Sequence, residues 1–204
     1  MSWPVHLLER ALRSPDLGLG VVPGSTPVVA FGDPVQSWVA TLGINPSSGE
    51  FLDVTGSLLD GSERRLATLR SLGVDRYEDL TADHAEAIVD DCASYFDRRP
   101  YRWFTPLNDL IHEALGVSFA ARSACHLDLV QWATRPLWGE LPADVQDELL
   151  RQDVGFLRTQ LNELSHKVVI VNGKSVMSWV ERSRLVRWQP VCTLRLGRLS
   201  AGFR

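Results

Sequence analysis

Apolar positions along this chain fall into two periods. Trp38-Val39-Ala40-Thr41-Leu42-Gly43-Ile44 is nearly continuous in apolar character, which predicts a strand buried on both faces. It stops at Asn45-Pro46-Ser47-Ser48-Gly49, where turn-forming residues take over. Ala124 to Trp132 reads as a second buried strand, Lys167 to Gly173 as a third strand turning at once into a helix, Val191 to Leu196 as a fourth, and Val28-Val29-Ala30-Phe31 as a shorter candidate. Between them the spacing turns helical. Residues 3–13 place Trp3, Leu7, Leu8 and Leu12 on one face, and helices are expected over 62–72, over 81–97 opened by Thr81-Ala82-Asp83-His84, and near 174–182. Trp103 to Leu115 points Leu107, Leu110, Ile111 and Leu115 inward and ends at Gly116. Residues 142–164, started by Pro142, bury Val145, Leu149, Leu150, Phe156, Leu157, Leu161 and Leu164.

Strands alternating with helices imply the α/β class, here a three-layer α/β/α sandwich with a mostly parallel central sheet of about four strands. No repeat or linker interrupts it, so residues 1–204 are expected to form one domain. In such sheets ligands bind outside the carboxyl ends of the strands. The chemistry is therefore sought in residues 45–53, 128–135, 172–175 and beyond 196.

Composition narrows the picture. At 204 residues and 45% hydrophobic, the chain has enough apolar surface to form a core without disulfides or metals. Its three cysteines, Cys92, Cys125 and Cys192, form no CxxC pair, which argues against a zinc or iron–sulfur site and suits a reducing, cytoplasmic setting. Apolar runs are strand-sized, so no membrane segment is expected. The net charge of −4 is unevenly spread: residues 167–204 carry eight Lys/Arg and one acid, whereas the rest carries 13 basic and 24 acidic residues. A basic tail on an acidic body is compatible with a one-sided nucleic-acid footprint, and equally with a solvated basic surface.

Three segments then resemble one family in order. Gly43-Ile44-Asn45-Pro46-Ser47 resembles the first motif of the uracil-DNA glycosylase superfamily, in the form carried by mismatch-specific uracil and thymine glycosylases. Leu127-Asp128-Leu129-Val130-Gln131-Trp132 is similar to the strand end Thr-Asn-Val-Val-Lys-Cys of its bacterial thermostable branch, and Val168 to Lys174 to its penultimate strand and glycine turn. The resemblance implies a monofunctional glycosylase acting on DNA without metal or cofactor and without an obligate protein partner, in repair or in defence against phage with modified bases.

The resemblance also assigns roles. Asn45 would hold a water beneath C1′ through its carbonyl, a positioning contribution to a reaction with an oxocarbenium-like sugar; its alternative is a turn before Pro46. Glu50 would be a helper base, or else a solvated turn residue. A flipped base needs a stacking partner, for which Phe51 is the candidate beside a core role, with Ile44 and Trp132 at the same strand ends. Ser47, Ser48, Lys174, Ser175, Arg195 and Arg198 would meet the DNA backbone.

The sequence departs from the family pattern at two places. Where the family carries Asn, whose amide both donates and accepts, Asp128 only accepts, which suits the exocyclic amine of a cytosine better than a uracil carbonyl. A modified cytosine is the expected base; otherwise Asp128 caps a loop or pairs with Arg135. His126 shares a strand face with Asp128 and is a further candidate beside a core role. The family's final His-Pro-Ser motif has no counterpart, and Arg195, Arg198 and Ser200 are its nearest replacements by position. Two competing readings are a non-catalytic binder of damaged or modified nucleic acid, and an enzyme on free nucleosides, for which no phosphate loop is present.

Overall fold

The computed structural model describes residues 2–183 and 185. Its centre is the strand β1 (Val39–Gly43), flanked by β2 (Ala124–Asp128) and β3 (Val168–Val171) in the order β2–β1–β3, all parallel. Val39 stands opposite both Ala124 and Val168, and the β1–β2 ladder closes with Gly43 opposite Asp128. Every residue of β1 and β2 is buried, as continuous apolar runs require of strands covered on two faces. Six α-helices accompany the sheet among the described residues: α1 (Val5–Ala11), α2 (Leu69–Leu72), α3 (Ala82–Ala93), α4 (Phe104–Leu115), α5 (Ala143–Glu163) and α6 (Lys174–Arg182). None is long and apolar enough to cross a membrane.

Strand alternation sorts the core into two clusters. Val39, Ala124, Val168 and Ile170 pack with α1, α3 and α4 through Leu7, Ile88, Phe104 and Ile111. Ala40, Leu42, Cys125, Leu127 and Val171 pack with α5 and α6 through Leu149, Leu157, Val176 and Val180. Cys92 and Cys125 are both buried, one in each cluster. Burying a side chain of this size contributes roughly 1.5–3 kcal/mol, so the two clusters carry most of the favourable free energy of folding.

Several expectations need correction. Val28–Phe31 is buried and extended but pairs with β2 through a single antiparallel bridge, Phe31 with His126. Pro27 offers no N–H, and Gly32 turns the chain away at φ 85°. Helix 62–72 reduces to a short turn at Gly61–Glu63 and α2, because the Thr68 side chain accepts from Ser71 N and so starts the helix late. Residues 66–68 are instead held by the 24–26 segment, through Thr26 Oγ1 donating to Ala67 O and Leu69 N donating to Gly24 O. Leu110 and Leu115 face outward. Pro142 is the N-cap of α5, and Asp153 and Gln160 join its buried face. The expected strand 191–196 lies outside the described residues.

Asp153 has a specific task. Arg10 of α1 places Nη2 2.7 Å from Asp153 Oδ2, both side chains being at most 2% exposed, and the same oxygen accepts from Gln131 N at 2.9 Å. This pair fixes α1, α5 and the chain leaving β2 against one another. Asp153→Asn strands the Arg10 charge in the core and is expected to cost about 3–5 kcal/mol in urea unfolding, whereas Asp79→Asn at the exposed Arg76 pair should leave the unfolding midpoint nearly unchanged.

Candidate functional site

Parallel pairing brings the carboxyl ends of all three strands to one side of the sheet. A cavity of about 210 Å³ lies there, between the end of β1, the turn that follows it, the end of β2 and the start of α4. Drug-sized ligand sites span roughly 300–1,000 Å³, so this cavity suits one small ring system. Ile44, Asn45, Ser47, Glu50 and Asp128 line it, so the structure brings five of the expected site residues together. The broader depression around Arg13, Asp16 and Gln152 gathers none of them.

Asn45 is oriented from behind. Its Nδ2 donates to Trp132 O at 3.2 Å and to Thr134 Oγ1 at 3.1 Å. A backbone carbonyl only accepts, so the amide must present its NH2 group there. Among the described residues nothing donates to Oδ1, which is left for a ligand of the cavity.

Glu50 is carried in by the turn Ser48–Glu50, capped by Ser47 Oγ accepting from Gly49 N at 3.2 Å. It is 3% exposed rather than solvated. Burial pushes its carboxyl up to about 7 and the Asp128 charge adds to this, against the opposing pull of the Tyr95 hydrogen bond and Arg65. Tyr95 Oη donates to Glu50 Oε2 at 2.7 Å and accepts from Tyr101 N at 2.8 Å, tying the carboxylate to the opposite wall. Arg65 donates to Gly49 O and stacks 5.1 Å over the Tyr101 ring.

Asp128, 5% exposed, faces His126 rather than Arg135: His126 Nε2 is 3.4 Å from Asp128 Oδ1, and Thr41 Oγ1 lies 2.8 Å from His126 Nδ1. Gly43 makes this possible. A Cβ on Gly43 would stand 2.5 Å from Asp128 Oδ1 and 2.7 Å from His126 Nε2.

Two expected base contacts lie elsewhere. Phe51 is in the hydrophobic core at 1% exposure, because the turn that sends Glu50 into the cavity sends the next side chain beneath it. Trp132 is also buried, edge-on to Tyr77 and under the Arg10 guanidinium, and reaches the site only through its carbonyl. The aromatic lining comes instead from Phe31, Phe104 and two half-exposed rings at the rim, Tyr101 and Trp103. Their signal was the Tyr101-x-Trp103-Phe104 run just before a helix, which periodicity assigns to packing. Ser48 borders an adjoining surface depression with Arg135 and Leu137. Lys174 and Ser175 are exposed in the first turn of α6, at the same end of the sheet. Arg195, Arg198 and Ser200 lie outside the described residues. No family model matches the chain, and no curated protein matches it significantly.

Glu50 generates a stability signature. Its folded-state value is raised from 4.5 to about 7, so the folded chain holds this proton more tightly than the unfolded one. The resulting stabilisation is complete below pH 4.5 and is lost as pH rises to about 7, a change on the order of 3 kcal/mol. Unfolding free energies measured from pH 4.5 to 8 should show that decline in the wild type and a flatter profile in Glu50→Gln; identical slopes would contradict the assignment.

Proposed function

We propose that this chain is a monofunctional DNA glycosylase with a uracil-DNA glycosylase-like three-layer fold, hydrolysing the N-glycosidic bond of a flipped cytosine-type base. The two helix-covered faces of the parallel sheet support the fold assignment. The observation that carries the reading is the Asn45 amide, pinned through its NH2 group so that Oδ1 is available to a water beside the buried Glu50.

In this reading the base enters the cavity edge-on to the sheet. Tyr101 and Trp103 meet it at the rim, offsetting the few kcal/mol of lost stacking in the duplex. Asp128 accepts from the exocyclic amine; among the described residues no donor reaches its Oδ2. Asn45 Oδ1 holds a water in line with C1′, and Glu50, with its carboxyl near neutrality, takes the water's proton as the C1′–N1 bond lengthens. Ser47, Ser48, Lys174 and Ser175 surround the mouth or lie at the same sheet end, where phosphate contacts would fix the strand. No metal or cofactor is needed for this hydrolysis. The protein would act alone in the cytoplasm, in repair or in defence against phage DNA with modified bases.

An abasic-site assay on duplexes carrying uracil, a G·T mismatch, cytosine, hydroxymethylcytosine and glucosylated hydroxymethylcytosine tests this directly. Amine-bearing bases should be released in preference to uracil, Asn45→Ala should slow release by about 100-fold, and Asp128→Asn should shift preference toward uracil. Full activity in Asn45→Ala, or an unchanged preference in Asp128→Asn, would count against the respective role. Duplex retention in a gel shift without base release would identify a binder instead.

A further inference from the structure

A cytosine-type anion leaves poorly, so a proton or strong hydrogen bond must reach the base as the glycosidic bond breaks. Ser47 offers only a hydroxyl, and Tyr101 and Trp103 stand half-exposed at the rim; among the described residues the buried ionisable side chains of the cavity wall are His126, Asp128 and Glu50, of which Glu50 already serves the water. His126 is 2% exposed, lines the cavity, and sits among the rings of Phe31, Trp103 and Phe104 at centroid distances of 5.8, 5.2 and 5.3 Å. Nothing about the packing requires an imidazole in that box. The polar partners do.

Thr41 bears on which ring nitrogen of His126 carries the proton. Thr41 Oγ1 is 2.8 Å from Nδ1 and also lies 3.4 Å from Cys125 O. If Thr41 donates to Nδ1, then Nε2 carries the ring proton, 3.4 Å from Asp128 Oδ1. If Thr41 donates to Cys125 O, then Nδ1–H donates to Thr41 and a bare Nε2 would confront a carboxylate, which is tolerable only with a proton between them. The first arrangement leaves His126 neutral; the second, with Nδ1–H on Thr41 and a further proton at Nε2, makes it an imidazolium beside the Asp128 carboxylate, on the wall that the base would face, and that is the form able to give a proton away. Gly43 keeps that contact open, since any Cβ there would collide with both atoms.

We infer that His126, oriented by Thr41 and paired with Asp128, is the proton donor to the departing base; this rests on the glycosylase reading and gives its poor leaving group an acid. In the step, the water oxygen bonds to C1′ while the C1′–N1 bond breaks and its electron pair leaves with the base. The Nε2 proton of a doubly protonated His126 passes to the base, which departs neutral and leaves a neutral imidazole beside Asp128, and the water's proton passes to the Glu50 carboxylate. Atoms and charge balance without any further reactant. The acid therefore comes from β2, two residues before the amine-binding Asp128.

Leaving-group dependence tests it. Single-turnover release is measured on duplexes carrying fluorocytosine, hydroxymethylcytosine and methylcytosine substituted at C5, which share one pairing face and differ in how well the base departs. The wild type should release these bases. His126→Gln should lose about 100-fold on the methylated base and distinctly less on the fluorinated one, with near-ultraviolet circular dichroism and Tm checking the fold. Should His126→Gln fail to fold, Thr41→Val replaces it and should show the same graded loss at smaller amplitude. An equal loss across the series would overturn the donor role while leaving the glycosylase reading intact. A wild type that releases no base from any of these duplexes would overturn both.

Discussion

Gly43 stands opposite Asp128 across the β1–β2 ladder, and the missing Cβ at that position is the constraint on which the site depends. Parallel pairing puts both strand ends on one side of the sheet, and their register sets one against the other. Had residue 43 carried any side chain, the 2.5 Å approach to Asp128 would force the carboxylate and His126 out of the space they now share. The next residues turn away at Asn45-Pro46, so a single short segment supplies both the empty position and the amide beside it. Asn45 is then held by the chain leaving β2, through Trp132 O and Thr134 Oγ1. Arg10 and Asp153 steady that chain from within the core.

Around this contact the cavity holds two carboxylates in unlike surroundings. Glu50 is buried against Tyr95 and driven up to about 7, whereas Asp128 faces the imidazole of His126. Placing acidic groups in unlike surroundings is how one site runs acid and base chemistry together. In the proposed reaction Glu50 serves the water and the His126–Asp128 pair serves the base. The aromatic walls raise the strength of each interaction by limiting water, and Tyr101 links them to the carboxylate through its N–H to Tyr95.

The parts legible in the sequence were those set by local pattern. The runs at 38–44 and 124–132 marked buried strands, the second ending at Asp128, the run at 167–173 marked a strand that is only partly buried, with Val169 exposed, and the turn at Asn45-Pro46 marked the place of the cavity. Val28–Phe31 was harder, because Pro27 and Gly32 limit an apolar run to one bridge. Phe51 and Trp132 were expected at the base and proved to be core residues, while Tyr101 and Trp103 were at the rim; composition cannot say which of several rings a turn leaves outside. Glu50 looked like a turn residue because its burial depends on Tyr95, 45 positions away. His126 shared a strand face with Asp128, but its meaning came only with Thr41, brought beside it by sheet pairing.

The central claim is that this cavity directs a water onto C1′. Base release carried out in the presence of borohydride, followed by mass analysis of the strand, addresses it most directly. The account predicts a released base, an abasic strand with an unbroken backbone and no protein–DNA adduct. Uncleaved glycosidic bonds on every duplex, or a reducible covalent adduct, would contradict it.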